Sequence, residues 1–118
     1  MVKQEICFNV EPTGVGLHDW LSILHIFEIN NLVKKVILYG SRAKGNYKKY
    51  SDIDLVILGI SSLMDLQKIE NQLSEINLPY IIDLSNYNTI KNPDLLDHIK
   101  RIGIVLYDKD RTTLKNNC

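Results

Sequence analysis

Apolar residues along the chain alternate between helical spacing and short continuous runs. From Leu17 to Asn31 they recur every three or four positions, which predicts a helix that ends at an asparagine pair. The runs 36–39 and 55–58 are short, apolar and bounded by glycine or polar residues, which predicts two buried strands. Residues 40–51 between them are polar and rich in lysine. We therefore expect a surface loop between two strands.

A strand–helix–strand unit is predicted to follow. Ser62 and Asp65 have the spacing of a capping box at a helix start, and the helix must stop before Pro79. Its predicted buried stripe consists of Leu63, Leu66, Ile69, Leu73 and Ile76. The next apolar run is residues 80–84. A right-handed crossover through the helix would place this run parallel to the strand at 55–58.

One more helix and one more strand complete the pattern. Asn92, Pro93 and Asp94 combine a capping side chain, a first-turn proline and an acid that the helix dipole favours, so a helix is predicted from there to about Arg101. Residues 102–107 predict a last strand at a sheet edge. Together these elements predict an α/β fold with a small mixed β-sheet flanked by helices.

Length and composition narrow the classes of function. The 118 residues indicate a single domain, 1–118, with an N-terminal extension at 1–16 and a frayed tail at 108–118. Lysine plus arginine equals aspartate plus glutamate at 14 each, so the chain lacks the basic field that a duplex nucleic-acid binder needs. Cys7 and Cys118 have no metal or disulfide spacing, which favours free thiols and a cytoplasmic location. We expect neither a signal peptide nor a membrane span.

Two carboxylates at the start of the second predicted strand carry the clearest chemical signal. Asp52 and Asp54 are two residues apart, so they leave one face of an extended strand, whereas Ile53 and Leu55 leave the other. Two ionised carboxylates about 4 Å apart repel by roughly 4 kcal/mol at an effective dielectric near 20, so a positive partner is expected. Such an oxygen-rich site suits Mg²⁺ or Mn²⁺, and a nucleoside triphosphate would complete the coordination shell.

Two competing motifs fail on the same stretch. Gly40 and Gly45 have the spacing of a Walker A loop, but Asn46 and Tyr47 stand where lysine and serine or threonine are needed. Val56 stands where an EF-hand requires an oxygen ligand. Neither a P-loop nor a calcium loop is predicted.

The stretch from Gly40 to Asp54 resembles a known family. Gly40-Ser41, ten intervening residues and Asp52-x-Asp54 are similar to the GS-x10-DxD signature of the polymerase-β-like nucleotidyltransferases, and GSRAKG followed by SDIDL resembles the minimal nucleotidyltransferase branch. The resemblance covers most of the chain. It implies the polymerase-β-like fold and the transfer of a nucleotide, commonly from ATP, to a hydroxyl group with the help of two Mg²⁺ ions or Mn²⁺.

The resemblance also assigns roles to three carboxylates. Asp52 and Asp54 would hold both metal ions, and Asp83 on the following strand would complete the ion that activates the attacking hydroxyl and would accept its proton. Asp83 interrupts an apolar run, where an unpaired buried carboxylate is costly. Because the three charges are crowded, at least one of them is expected to titrate upward without metal.

Three neighbouring residues are predicted to bind the nucleotide. Gly40 would let the backbone approach a phosphate, Ser41 would donate a hydrogen bond, and Arg42 would add a charge-assisted contact. His18, His25 and His98 are interpreted as exposed structural residues, because no carboxylate or cysteine pattern joins them into a set of metal ligands.

The acceptor is not encoded by any motif, and the chain is too short for a helical acceptor-binding domain. Small proteins that resemble this one are often paired with a helical HEPN-type protein and act as its antitoxin by adenylylating a toxin tyrosine. We therefore expect a protein adenylyltransferase whose apolar first helix suits docking of such a partner, or of a second copy. Two alternatives stay open: a small-molecule nucleotidyltransferase whose partner supplies the substrate pocket, and an antitoxin that acts by binding alone.

Overall fold

Residues 6 and 8–110, which the computed structural model describes, form a four-stranded sheet with helices on both faces. The strands are β1 (Lys35–Tyr39), β2 (Ile53–Leu58), β3 (Ile82–Asn86) and β4 (Ile104–Asp108). The helices are α1 (Leu17–Glu28), α2 (Ser41–Lys44), α3 (Leu63–Ser74) and α4 (Pro93–Ile102), with short 3₁₀ turns at Glu11–Thr13 and Tyr87–Thr89. The predicted order of strands and helices is confirmed, and α2 is an addition within the expected loop.

The sheet is mixed, as the sequence predicts. Its strand order is β3-β2-β1-β4, with β1 antiparallel to both β2 and β4 and with β2 parallel to β3. Helix α3 makes the crossover between the two parallel strands, and β4 forms one edge of the sheet. The register places Asp54 opposite Tyr39 on β1 and opposite Asp83 on β3. Tyr39, Asp54 and Asp83 therefore lie in one row across three strands of the sheet.

Alternation along β2 separates two hydrophobic cores. Ile53 and Leu55 lie in the larger core, under α1 and α3, and are fully buried. Val56 faces the other side, where it packs with Tyr39 and with Ile99 of α4 in a smaller core. The predicted division of this strand into two faces is confirmed, and it puts Asp54 on the α4 side of the sheet.

Helix α1 is shorter than its pattern of apolar residues predicts. It ends at Glu28, because the following residues turn and the Asn30 side-chain amide donates to the carbonyl of Ile26 at 2.6 Å and to Gln72 Oε1 of α3 at 2.8 Å. The face of α1 that is fully buried in the monomer consists of Trp20, Ile23, Leu24 and Phe27. Ile29, beyond the end of the helix, is exposed.

Local signals set the limits of the two later helices. The Ser62 hydroxyl accepts a hydrogen bond from the main-chain N–H of Asp65 at 3.1 Å, as expected of an N-cap. The Asn92 side chain caps α4 in the same way, by accepting from the N–H of Asp94 at 2.9 Å. The prediction that Leu63 is buried is wrong, because this residue occupies the first turn of α3 and stays exposed.

The N-terminal extension is tied to the domain where it is described. Thr13 is buried, and its hydroxyl accepts a hydrogen bond from Trp20 Nε1 at 3.0 Å. The interpretation of residues 108–118 as a frayed tail is wrong at Asp108, which ends β4, and lies outside the described residues from 111 onward. Cys7 and Cys118 also lie outside them. Within the described part of the chain, every helix is too short or too polar to cross a membrane.

Candidate active site

Asp54 and Asp83 lie side by side on the α4 side of the sheet. They are register partners on the neighbouring parallel strands β2 and β3, and the pleat turns paired residues to the same face. Asp52 directly precedes β2 and is exposed. The structure thus brings together two of the three predicted carboxylates by strand pairing, with the third at the start of the strand.

The carboxyl of Asp54 is harder to ionise than that of an ordinary aspartate. Burial, then the negative charge of Asp83 and then that of Asp52, together raise its pKa to about 6. The raised pKa of Asp54 agrees with the expectation that at least one of the three aspartates titrates upward without metal. A carboxylate that is costly to ionise beside two others favours a cation as its partner.

Asp83 differs from its predicted environment. It is exposed, because β3 is an edge strand and the apolar pattern of residues 80–84 does not make that strand buried on both faces. The strand also starts at Ile82 rather than at residue 80. The cost of a buried unpaired carboxylate therefore does not apply to Asp83, and its position beside Asp54 is what gives it chemical interest.

The carboxylates fit a metal ion that keeps much of its hydration. Among residues 6 and 8–110, no three histidine, cysteine, aspartate or glutamate side chains converge as a ready-made metal site. Asp54 and Asp83 nevertheless present hard oxygen ligands side by side, and Asp52 adds negative charge nearby. Mg²⁺ is usually held by one or two carboxylates together with waters and substrate phosphates. The donor set suits that kind of site and does not suit an all-protein cage.

Gly40 connects the Gly-Ser turn to the carboxylates by direct contact. Its backbone has φ 78° and ψ −159°, a combination that is essentially restricted to glycine. A Cβ atom at this position would overlap the Asp54 carboxylate oxygen Oδ2. The absence of a side chain at position 40 therefore leaves room for the Asp54 carboxylate. Ser41 follows as the first residue of α2.

Arg42 is not available to a phosphate, and the prediction that it contacts the nucleotide is wrong. Its side chain is only 1% exposed. The guanidinium donates from Nε and Nη2 to the carbonyl of Ser51, at 3.1 and 3.0 Å, and from Nη1 to the carbonyl of Thr13, at 2.9 Å. Tyr47 and Tyr80 contact the guanidinium with their ring faces, at 4.8 and 5.0 Å from its carbon to the ring centres. Arg42 is thus a buried support of the loop between α2 and β2.

His98 is a site residue that the sequence does not reveal. Its Nε2 accepts a hydrogen bond from the main-chain N–H of Gly40 at 3.1 Å, and its ring meets that of Tyr39 edge to face, with centres 6.2 Å apart. The interpretation of His98 as an exposed residue is wrong, because it is half-buried between α4 and β1. No linear signal joins it to Gly40, 58 positions earlier in the chain. His18 and His25 are exposed, as expected.

Tyr39 is the second residue that sequence reasoning missed. It is buried, and it pairs with Asp54 in the sheet. Burial raises the pKa of its hydroxyl, a hydrogen bond with Ser85 acts in the opposite direction, and the charges of Asp54 and Asp83 raise it further. The sequence feature that could have indicated Tyr39 is its position as the last residue of β1, directly before the Gly-Ser turn.

The expected docking face of α1 carries an open groove of about 470 Å³. The residues that line it are His18, Leu21, Ser22, His25, Ile26 and Ile76. It lies on the α1 side of the molecule, whereas Asp54 faces the α4 side. Docking at α1 stays an expectation.

Comparisons with known proteins agree with this architecture. Residues 22–112 match a family model described as polymerase beta, nucleotidyltransferase. A relative from Haemophilus influenzae, named probable protein adenylyltransferase MntA, is 35% identical over 79 residues, which cover 65% of this chain and 68% of the relative.

Solved structures share the fold. One is described as a toxin-antitoxin with AMP-PNP, and it has a TM-score of 0.63 at 19% identity over 80% of this chain and 78% of the other. Another is described as a tri-AMPylated Shewanella oneidensis HEPN toxin in complex with MNT antitoxin, and it has a TM-score of 0.58 at 17% identity over 83% of this chain and 76% of the other. At these identities the likeness shows that the fold is the same.

Proposed function

Because the chain belongs to the polymerase β nucleotidyltransferase family, we propose that it transfers AMP from ATP to a hydroxyl group on a partner protein. The partner is a helical HEPN-type toxin, and the transfer is how this chain acts as its antitoxin. The observation that carries the proposal is that the Asp54 carboxylate, which is paired with Asp83 across two strands, occupies the space left by Gly40 next to the serine of the signature.

The acceptor class is supported by the relatives. The Haemophilus influenzae protein that is 35% identical is named as a protein adenylyltransferase, and solved chains with the same fold are described as parts of toxin-antitoxin complexes. The described residues form one sheet with a hydrophobic core on each side of it, and in the proposed reaction the partner protein supplies the acceptor hydroxyl. The proposed reaction uses ATP and belongs in the cytoplasm.

Different residues of the chain bind the nucleotide, hold the metal and accept the proton in the proposed reaction. Gly40 lets the triphosphate approach the main chain closely, and the Ser41 hydroxyl donates to a phosphate oxygen. Asp52, Asp54 and Asp83 would hold divalent metal, which when bound lowers the pKa of the attacking hydroxyl and neutralises charge on the leaving pyrophosphate. Asp83 is the exposed member of the pair and accepts the proton of the acceptor hydroxyl.

The reaction is an in-line displacement at the α-phosphorus of ATP. The acceptor oxygen forms a bond to this phosphorus while the bond from the phosphorus to the oxygen that bridges to the β-phosphate breaks. Pyrophosphate leaves with that electron pair, and the hydroxyl proton moves to the Asp83 carboxylate. The products are an AMP ester of the acceptor and pyrophosphate, so atoms and charge balance.

Transfer of a labelled nucleotide tests the proposal. The protein is incubated with Mg²⁺ and α-labelled ATP, together with a HEPN-type protein or with extract from the source cells. Label should move to a protein of the partner's size, and Asp54→Asn should abolish the transfer. Glu70→Gln is the matched control, because Glu70 is an exposed carboxylate on α3 under the opposite face of the sheet.

Two results would replace the proposed acceptor or activity. Label that moves to an added aminoglycoside and not to protein would support a small-molecule nucleotidyltransferase. Neutralisation of the partner that survives alanine at Asp52, Asp54 and Asp83 together would support an antitoxin that acts by binding alone.

A further inference from the structure

We propose that His98 is a positioning residue for the Gly-Ser turn: its imidazole Nε2 fixes the Gly40 amide, and through it the placement of the nucleotide beside Asp54. The inference rests on the proposed function in one respect only, the identity of the ligand that the turn receives. The contact that carries it is independent of that function, because it lies within the chain.

The Gly40 amide has no partner in the sheet. Pairing of β1 with β2 ends at Tyr39, and pairing of β1 with β4 ends at Leu38. The next N–H along the chain, that of Gly40, donates instead to His98 Nε2 at 3.1 Å. A side chain from α4 therefore continues the hydrogen bonding of β1 for one residue beyond the sheet, at the residue where the Gly-Ser turn begins.

The imidazole is itself held in place. Its ring packs edge to face on Tyr39 with an angle of 81° between the ring planes, and its neighbour Ile99 is buried in the smaller core. The Asn92 cap fixes the start of α4 by accepting hydrogen bonds from the N–H groups of Asp94 and Leu95. Because Nε2 accepts a hydrogen bond, the ring proton of this imidazole is on Nδ1. His98 can thus act as a rigid acceptor.

Gly40 is constrained from two sides, and both constraints are needed. On the Cα side, the Asp54 carboxylate fills the space where other residues carry Cβ. On the amide side, His98 sets the orientation of the peptide between Tyr39 and Gly40. Glycine alone has a wide choice of backbone angles, so without the hydrogen bond the turn would sample other conformations and Asp54 would lose a fixed neighbour.

Two substitutions distinguish the effect of the hydrogen-bond acceptor on His98 from the effect of the shape of its side chain. In His98→Gln, the amide oxygen Oε1 reaches about as far from the backbone as Nε2 and keeps an acceptor for Gly40. In His98→Leu, the apolar bulk is kept and the acceptor is lost. His98→Asn serves as a third variant whose acceptor is one bond too short, in case the leucine variant does not fold. Thermal unfolding of all three is compared with that of the unsubstituted protein.

The first readout needs no activity. Amide hydrogen exchange at Gly40, followed by ¹⁵N NMR, should be about tenfold faster in His98→Leu and in His98→Asn than in the unsubstituted protein, and close to unchanged in His98→Gln. Equal exchange in all variants would overturn the proposal, whether or not AMP transfer is observed. A failure of the proposed function would leave this readout intact, so the two failures can be told apart.

The second readout uses AMP transfer or, where transfer is absent, binding of AMP-PNP with Mg²⁺. The KM or Kd of the nucleotide should rise about three- to tenfold in His98→Leu, as expected from the loss of one hydrogen bond, while kcat changes less and His98→Gln stays near the original value. Tighter nucleotide binding in His98→Leu would overturn the proposal, because it would mean that the imidazole competes with a phosphate for the Gly40 amide.

Discussion

At the scale of single residues, Gly40 shows why a short signature can be specific. A Gly-Ser pair is common, and so is a pair of aspartates two residues apart. In the folded chain they are one feature, because the Asp54 carboxylate occupies the volume that any side chain at position 40 would need. The spacing of the signature reflects this contact, since its ten intervening residues, 42–51, lie within the connection by which the chain leaves β1 and returns antiparallel to it on β2.

Substitution of this glycine should damage stability and activity together. Gly40→Ala places a Cβ against Asp54 at backbone angles that only glycine tolerates, so we expect the free energy of unfolding to fall by about 1–3 kcal/mol and AMP transfer to be lost. Gly16→Ala is the matched control, because Gly16 has φ −66° and open space around the Cβ position. Urea unfolding measures the stability of the two variants, and transfer of labelled AMP measures their activity. Equal losses of stability in Gly40→Ala and Gly16→Ala would contradict the role assigned to Gly40.

Asp54 should make the metal-free protein less stable as the pH rises. Its folded pKa of about 6 lies above the ordinary value of 3.8, so the folded state binds the proton more tightly than the unfolded state. The associated stability is complete below pH 4 and is lost between pH 4 and about pH 6. Asp54→Asn cannot ionise, so without metal it should be more stable than the unsubstituted protein above pH 6, by about 1–2 kcal/mol after allowance for solvent screening.

Urea unfolding at intervals from pH 4 to pH 8, with a chelator present, measures this difference. The free energies of unfolding of the two proteins should converge at pH 4. Addition of Mg²⁺ at pH 8 should reduce the difference between them, since Mg²⁺ stabilises only the protein that keeps the Asp54 carboxylate. A gap that is constant with pH would show that the substitution acts through packing and not through charge.

At the scale of elements, the pattern of apolar residues predicts the strands and helices well, because each is set by local signals. The caps at Ser62 and Asn92 and the alternation in β2 are examples, and each depends on residues a few positions apart. The end of α1 was missed because it depends on Asn30 meeting Gln72 of another helix. The roles of Arg42 and His98 were missed for the same reason, since their partners are distant in the sequence.

The loop between α2 and β2 depends on the buried guanidinium. Arg42→Met removes three hydrogen bonds to main-chain carbonyls and leaves the carbonyls of Thr13 and Ser51 unpaired, so we expect a loss of about 3 kcal/mol in the free energy of unfolding. Limited trypsin digestion should then cut faster after Lys48 and Lys49, which are exposed in this loop.

Arg42→Lys distinguishes this structural role from phosphate binding. Lysine keeps the positive charge but cannot reach two carbonyls with a planar fork, so a structural role predicts faster tryptic cleavage in this variant as well. Nucleotide affinity that falls in Arg42→Met and is restored in Arg42→Lys, with unchanged cleavage, would return Arg42 to the nucleotide-binding residues.

At the scale of the whole molecule, the two faces of the sheet serve different purposes. The larger core, under α1 and α3, supplies most of the buried apolar side chains. On the side of the smaller core under α4, Asp83 is exposed and Asp54 is half-buried, and both lie in one row with Tyr39, which contacts His98. Most of the buried apolar core thus lies on one face of the sheet and the candidate site lies on the other.

Ligand binding should therefore stabilise the domain as a unit. At a hundredfold excess over Kd, a ligand of the folded state adds about 2.7 kcal/mol, which corresponds to a rise in Tm of roughly 10 °C for a domain of this length. We expect Mg²⁺ with AMP-PNP to give such a rise, removal of Mg²⁺ by a chelator to reverse most of it, and Asp54→Asn to abolish the part that depends on Mg²⁺. Differential scanning calorimetry measures the shifts, and a Tm indifferent to both ligands would contradict the site.

The hydrogen bond between Gly40 and His98 spans 58 positions, and this distance has a consequence for synthesis on the ribosome. The signature is complete in the growing chain once residue 54 has been added, but its first residue gains its α4 partner only when residue 98 has emerged. Chains that stop between these two points, through truncation or stalled translation, carry the full family signature without the assembled site.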